Sequence, residues 1–131
     1  MADVEDSLWT QLTDDSAVTA IIVKRLYDGT APAKVKVPYG VHQRISTIRP
    51  PAFGSSPGNV HARIEYTWID TTPKKARALA AAARLAIHRW SDSSGSPVIE
   101  DVFLDNETEP EVRAQDRRFE LIQDYLVFYR E

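Results

Sequence analysis

The sequence contains no cysteine and only five glycines among its 131 residues. Without cysteine, the chain cannot form disulfides, Fe–S clusters, thiolate zinc sites or a cysteine nucleophile. It has no G-x-G-x-x-G pattern and no P-loop, which excludes the common phosphate-cradling motifs. No apolar run approaches the ~20 residues that span a bilayer, and residues 1–6 are acidic where a secretory signal would be basic and then apolar. We therefore expect a soluble, cytoplasmic origin and no contact with a membrane.

The composition predicts one folded domain over residues 1–131. Hydrophobic residues make up 43% and charged residues 27% of the chain, which allows a proper core and excludes the disordered class. A length of 131 residues suits a single domain. The formal net charge is −3, whereas dedicated nucleic-acid binders normally carry a basic stripe. The pairs Lys34/Lys36 and Arg117/Arg118 are too scattered to form one.

Three helices are predicted, two short ones at the N-terminus and a long one in the middle of the chain. Asp3 can cap a helix over residues 3–12, and the cap cluster 14–16 precedes a second short helix. Thr72 as N-cap and Pro73 at the first position predict a long helix of about 18 residues. Its apolar stripe consists of Ala76, Leu79, Ala80, Ala83, Ile87 and Trp90. The alanines of this stripe indicate a close approach to a sheet.

Alternation of apolar and polar residues predicts the strands. They cover residues 26–27, 39–47, 59–69, 98–105 and 117–129. In the second of these, Gly40, His42 and Arg44 are expected on a polar face. Residues 49–58 contain three prolines and are predicted to be a loop. The pattern predicts an α+β fold, in which a mainly antiparallel sheet of four to five strands carries the long helix and the short N-terminal helices mostly on one face.

The last two predicted strands have apolar residues on both faces. On the final strand, Phe119, Leu121, Tyr125, Val127 and Tyr129 oppose Ile122, Leu126 and Phe128. A sheet covered on one side needs only one apolar face. The second face is therefore covered either by the N-terminal helices or by another chain. For a contact with another chain, the predicted residues are Ile99, Phe103, Ile122, Leu126 and Phe128.

A second candidate contact surface combines the loop over residues 49–58 with the start of the long helix. Phe53 lies in this loop, and docking would give its ring a pocket. Lys74 and Lys75 oppose the helix macrodipole in the first turn, so they are either solvated or meet an acidic partner surface. The residues of this predicted docking surface are Arg49, Phe53, Ser55, Ser56, Lys74 and Lys75.

Candidate catalytic and metal-binding residues are few. His42 and His61 could be neighbours on adjacent strands, with Glu65 on the same face as His61 as a further ligand or catalytic group. The sequence has no HExxH or other ligand spacing, so surface histidines are the simpler interpretation. The serines lack a nucleophile elbow. The residues predict no catalytic site, metal or cofactor, and a small α+β enzyme or ligand-binding protein using His42, His61 and Glu65 is the alternative.

The order of these segments resembles the tail completion (tail terminator) proteins of long-tailed bacteriophages and gene transfer agents. The resemblance covers nearly the whole chain and ends on an aromatic C-terminal strand. The segments that carry it are residues 17–22, 25–27, 31–32, 38–45, 61–68, 75–80 and 119–131.

This resemblance implies a structural virion protein without catalytic residues or cofactors. Such a protein assembles as a ring of six copies on the head-proximal end of the tail tube, where it stops polymerisation and presents a joining surface to the head-side connector. The implied partners are further copies of the chain, the tail tube protein and the connector, and DNA passes through the channel without specific binding. The implied location is the head–tail junction of the virion, after assembly in the host cytoplasm. A head-side neck protein is a further alternative.

Overall fold

The computed structural model describes residues 3–50, 59–109 and 118–130 of the chain. The elements are α1 (Val4–Asp14), α2 (Ser16–Ile22), β1 (Leu26–Asp28), β2 (Tyr39–Ile48), β3 (Asn59–Asp70), α3 (Pro73–Ile87), β4 (Val98–Thr108) and β5 (Phe119–Arg130). The predicted α+β class and the order of the elements are confirmed. Within these residues, no helix is long and apolar enough to cross a membrane.

The helices begin at the positions that were predicted from their capping residues. The carboxylate of Asp15 accepts hydrogen bonds from the backbone N–H groups of Ala17 and Val18 at 3.0 and 3.1 Å. The hydroxyl of Thr72 accepts from Lys75 N at 3.1 Å, and Pro73 occupies the first turn of α3. These side chains satisfy N–H groups that have no partner inside their own helix.

Helix α3 has 15 residues and is shorter than predicted, because the chain leaves it to run along the edge strand β4. Arg89 N donates to Val102 O at 2.6 Å, and Asp92 and Ile99 exchange two backbone hydrogen bonds. This short segment covers part of the β4 edge, which would otherwise present unpaired backbone groups.

The five strands of the described residues form one sheet in the order β1-β2-β3-β5-β4. β1 pairs with β2 in parallel, and the other three pairs are antiparallel. The sheet is therefore mainly antiparallel, as predicted, with one short parallel strand at its edge. The longest pairing joins β3 to β5 from Asn59↔Arg130 to Asp70↔Phe119.

The core lies between one face of this sheet and the three helices. Trp68 and Tyr66 of β3 are fully buried there, together with Leu8 of α1 and Leu79 of α3. The alanines of α3 that face the sheet are buried as well, which confirms the predicted close approach. They are Ala76, Ala80 and Ala83.

A buried glutamine joins α3 to two strands. Gln123 Nε2 donates to Ala80 O at 3.1 Å and to Glu107 Oε1 at 2.8 Å. Its Oε1 accepts from Trp68 Nε1 at 2.8 Å and from the Tyr125 hydroxyl at 2.9 Å. An amide side chain has two donor hydrogens and two acceptor sites, so all of them are occupied without water.

The prediction that His42 lies on the polar face of its strand is wrong. His42 is 5% exposed, and together with Gly40 it faces the helix layer rather than solvent. The physical reason is Trp68 on the neighbouring strand, because a Cβ at Gly40 would lie 2.5 Å from its Cζ3 atom. The missing side chain at Gly40 makes room for the indole. The strand therefore turns its glycine and histidine inward, although their polarity suggested the opposite.

Candidate functional site

The sheet surface opposite the helices, here called the open face, is the candidate site. Val4, Leu8 and Val18 of α1 and α2 join the core on the other side of the sheet, and so does α3. Of the two alternatives for covering the second apolar face, the N-terminal helices are therefore the wrong one. No helix in the described part of the chain packs on the open face. Its side chains include Ile45 and Ile48 of β2, His61, Arg63, Glu65 and Thr67 of β3, Phe103 of β4, and Ile122, Asp124, Leu126 and Phe128 of β5.

An aromatic cluster occupies one part of this face. The rings of Phe103 and Phe128 meet edge to face with centroids 5.7 Å apart, and His61 lies 5.4 Å from Phe128. Leu126 is the strand partner of Phe103. The guanidinium of Arg89 lies 4.4 Å above the Phe103 ring and pairs with Asp101 at 3.2 Å. The cluster is thus half-buried by its own members and remains accessible from the side away from the helices.

A row of polar residues crosses the open face next to the aromatic cluster. Glu65 and Asp124 are direct strand partners, and Gln43 and Asn106 continue the row on the outer strands. Neither carboxylate has a hydrogen bond or ion pair within the described residues. Like charges directly opposite each other on a sheet are destabilising. The open face therefore combines exposed apolar groups with unpaired negative charge.

Ile99 does not belong to the open face, and its predicted place there is wrong. Ile99 pairs with Tyr129 and Asp101 pairs with Phe128, so Glu100 is an extra residue in β4. A bulge of this kind shifts the alternation by one position. Ile99 consequently points into the core, where it is 1% exposed, while Phe103 keeps its predicted face. The other predicted contact residues, Phe103, Ile122, Leu126 and Phe128, share the open face.

The predicted docking surface does not form one patch. Arg49 follows the end of β2, whereas Lys74 and Lys75 follow the end of β3, and these two antiparallel strands end at opposite sides of the sheet. A strand of 12 residues spans roughly 36 Å at about 3.3 Å per residue. The other predicted members, Phe53, Ser55 and Ser56, lie outside the described residues.

The histidines and Glu65 do not form a joint site. His42 faces the helix layer, while His61 and Glu65 lie on the open face. Four residues along a strand separate His61 from Glu65 by about 13 Å. Among the described residues, no group of three His, Cys, Asp or Glu side chains could hold a metal ion. The arrangement on which the enzyme alternative depends is therefore not assembled.

Burial changes the acid–base properties of His42. Its Nδ1 lies 3.7 Å from the Asp28 carboxylate and has no hydrogen-bond partner within the described residues. Burial lowers the pKa of His42, and the negative charges of Asp28, Glu5 and Asp6 oppose that shift. The imidazole is therefore held neutral inside the fold.

Sequence reasoning missed one feature, a group of lysines at one end of the sheet. Lys34 and Lys36 precede β2, and Lys74 and Lys75 follow β3. The first residue of β2, Tyr39, pairs with Ile69 near the end of β3. Antiparallel pairing thus brings together lysines that lie about forty positions apart. Only the strand pairing reveals this, because local sequence carries no signal for it.

One comparison with known proteins identifies a family, and another identifies a shared fold. The model of the family described as Tail completion protein gp17 matches residues 6–129 of this chain. A chain in the structure of the virion of a native gene transfer agent (GTA) particle superimposes with a TM-score of 0.77 at 14% sequence identity. That match covers 98% of this chain and 95% of the other, and at this identity it establishes a shared fold. No curated protein matches the sequence.

Proposed function

This chain belongs to the tail completion family, and on that premise we propose that it forms a ring that caps the head-proximal end of a tail tube. The family consists of structural virion proteins, which agrees with the resemblance seen in the sequence. In this proposal the ring stops polymerisation of the tube, offers the joining surface to the head and resides at the head–tail junction of the virion. We further propose six copies per ring.

The open face is the observation that carries the proposal. Apolar side chains of β4 and β5 lie there without a covering helix in the described residues, and Ile45 and Ile48 on β2 are 48% and 52% exposed. Contiguous apolar patches on a protein surface mark interaction sites. A contact between different surfaces of identical subunits closes into a ring when the rotation per step divides a full turn. Neighbouring copies or the tube end would cover the aromatic cluster in this way.

The net charge fits a conduit for DNA. The chain carries a formal charge of −3. A negatively charged wall repels phosphates and so does not trap passing DNA. We therefore include DNA as a molecule that passes through the ring without specific binding.

Electron microscopy of tail tubes purified without this protein tests the proposal. Added protein is expected to appear as extra density at one end of each tube and to prevent further addition of tube subunits. Density along the tube wall, at both ends or nowhere would contradict the proposal. Tailless heads serve as the second sample, since binding to heads but not to tubes would identify a head-side neck protein instead.

A further inference from the structure

The lysine side chains are concentrated at one end of the molecule, here called the lysine end. The chain has five lysines, and Lys34, Lys36, Lys74 and Lys75 flank the paired ends of β2 and β3. Lys24 lies at the same end, because the neighbouring residue Arg25 is hydrogen-bonded to the start of β2. Arg25 Nε donates to Pro38 O at 3.0 Å, and Gly40 N donates to Arg25 O at 2.8 Å. All five lysines are exposed.

These lysines differ from the arginines in having no internal partner. Within the described residues, no lysine side chain takes part in a hydrogen bond or ion pair. By contrast, ion pairs with carboxylates are formed in the described part of the chain by arginines that include Arg44, Arg63, Arg77, Arg89 and Arg130. The internal acid–base pairs of the fold therefore leave the lysine charges available to an external partner. This positive end belongs to a chain that is negative overall.

A largely apolar cavity opens in the middle of the lysine end. It has a volume of about 310 Å³ and is lined by Ile21, Pro38, Ala78, Lys75 and Asp70. An apolar cavity of roughly half this volume already accommodates a benzene ring. Each remaining lysine lies within four positions along the chain of a lining residue. The cavity therefore has one lysine in its lining, has the other four close to it along the chain, and fits one large apolar side chain.

Asp70 determines what can enter the cavity. It is 4% exposed, and its Oδ1 accepts a hydrogen bond from Thr71 N at 2.6 Å. A carboxylate in the lining repels a phosphate or carboxylate placed beside it, but it does not repel a hydrocarbon group. The walls thus favour an apolar group inside, while the lysines favour negative charge around the rim.

We propose that the lysine end docks an acidic segment of another virion protein, which inserts one large apolar side chain into the cavity. This inference rests on the proposed function in that the chain joins other virion proteins. Protein interfaces usually have an apolar side chain buried at the centre and polar or charged groups at the rim. A nucleic-acid backbone supplies the negative charge but has no apolar side chain for the cavity.

Binding of short peptides to the intact protein tests this inference. The probes are the acetylated, amidated peptides Glu-Glu-Phe-Glu-Glu and Glu-Glu-Ala-Glu-Glu, together with a short DNA duplex, and the signals are the NMR resonances of the Ile21 and Ala78 methyl groups. The phenylalanine peptide is expected to shift both signals saturably and to bind roughly tenfold more tightly than the alanine peptide, as burial of an aromatic ring implies. Equal affinity of the two peptides, no shift, or an equal saturable shift with DNA would overturn the inference.

Three variants separate the charge from the cavity. K75E is expected to weaken binding of both peptides, and it stays folded because a carboxylate is favourable in the first turn of a helix. The matched control is R84E, which makes the same change of charge in the last turn of α3 and is expected to leave binding unchanged. A78L places a larger side chain at an exposed residue of the cavity lining and so narrows the cavity. This variant should bind the phenylalanine and alanine peptides with equal affinity. Unchanged binding by both K75E and A78L would contradict the proposed site.

A failure of the proposed docking site can be distinguished from a failure of the proposed tube-capping function. Wild-type protein that caps tubes but binds neither peptide would leave the tube-capping function standing and reject the docking site. Wild-type protein that binds the phenylalanine peptide but caps no tube would reject the tube-capping function and leave the site.

Discussion

Two polar atoms in the core, Nδ1 of His42 and the hydroxyl of Tyr66, have no hydrogen-bond partner within the described residues. The two residues are strand partners, and their ring centroids lie 5.8 Å apart. Burial raises the pKa of the Tyr66 hydroxyl, so this group stays neutral. Burial also lowers the pKa of His42, and Asp28 is the largest opposing influence. At the residue scale, His42 therefore couples the stability of the fold to pH near neutrality.

The first prediction concerns this coupling. Because the folded pKa of His42 lies below its ordinary value of 6.5, the unfolded chain binds the proton more readily than the folded chain. The contribution of His42 to stability is thus complete above pH 6.5 and declines as the pH falls toward the folded pKa. Urea unfolding at pH 7.5, 6.5 and 5.5 (values around the ordinary pKa of about 6.5) should show a smaller decline for H42Q than for wild type. H61Q, on the open face, is the control, and an equal decline in H42Q and wild type would contradict this role.

The second prediction concerns the buried amide of Gln123. Its replacement by leucine leaves the Trp68 Nε1 and Tyr125 hydroxyl groups without their acceptor and Ala80 O without its donor. Q123L should lower the free energy of unfolding by about 3 kcal/mol or more, since each of the three groups left unsatisfied costs about 1–3 kcal/mol. Urea denaturation measures this change. The exposed Gln43 provides the matched variant Q43L, which should change stability by no more than about 0.5 kcal/mol, and similar losses for the two variants would show that the network contributes little.

At the scale of the elements, the start of α3 allows a third prediction. Thr72 caps this helix through the hydrogen bond from Lys75 N. T72A is expected to reduce the free energy of unfolding by about 1 kcal/mol, as measured by thermal or urea unfolding. T10A is the control, because the exposed Thr10 hydroxyl only donates back to Asp6 O inside α1. A loss in T72A no larger than that in T10A would mean that the cap is not needed.

The elements that could be predicted from sequence are those with an unbroken period. β3 alternates over its whole length, and α3 has both a capping residue and an apolar stripe. The faces of the β4 side chains could not be predicted in full, because a bulge at Glu100 adds one residue and turns Ile99 into the core. A similar register shift between Arg44 and Ser46 interrupts β2. Bulges depend on pairing with the neighbouring strand, so they cannot be located from the periodicity of one strand.

The candidate site was partly predictable for the same reason. The two-sided apolar pattern of β5 identified Ile122, Leu126 and Phe128, because that strand has no register shift relative to β3. Local sequence did not indicate that Ile45 and Ile48 share the same face. Local sequence also did not show that Arg49 and Lys74 lie far apart, since only the antiparallel pairing of β2 with β3 places them at opposite ends of the sheet.

On the scale of the whole molecule, the surface divides into three regions with different chemistry. The open face carries the aromatic cluster and unpaired carboxylates. The lysine end carries unpaired positive charge around an apolar cavity. The helix layer carries two exposed large apolar side chains within the described residues, Leu85 on α3 and Val23 at the end of α2. A protein that joins a tube to a head needs separate surfaces for copies of itself and for its partners, and the first two regions are suited to these roles.

The central claim is that the open face is covered by assembly and is not part of the monomer core. The most direct measurement is the capping of purified tail tubes, scored by electron microscopy, for wild type, L126D/F128D and the control L85D. We expect L126D/F128D to remain folded by circular dichroism but to cap tubes at least tenfold less well, since loss of a central interface side chain costs about 2 kcal/mol or more. L85D should cap like wild type. Capping by L126D/F128D at the wild-type level, or its unfolding while L85D stays folded, would contradict the account.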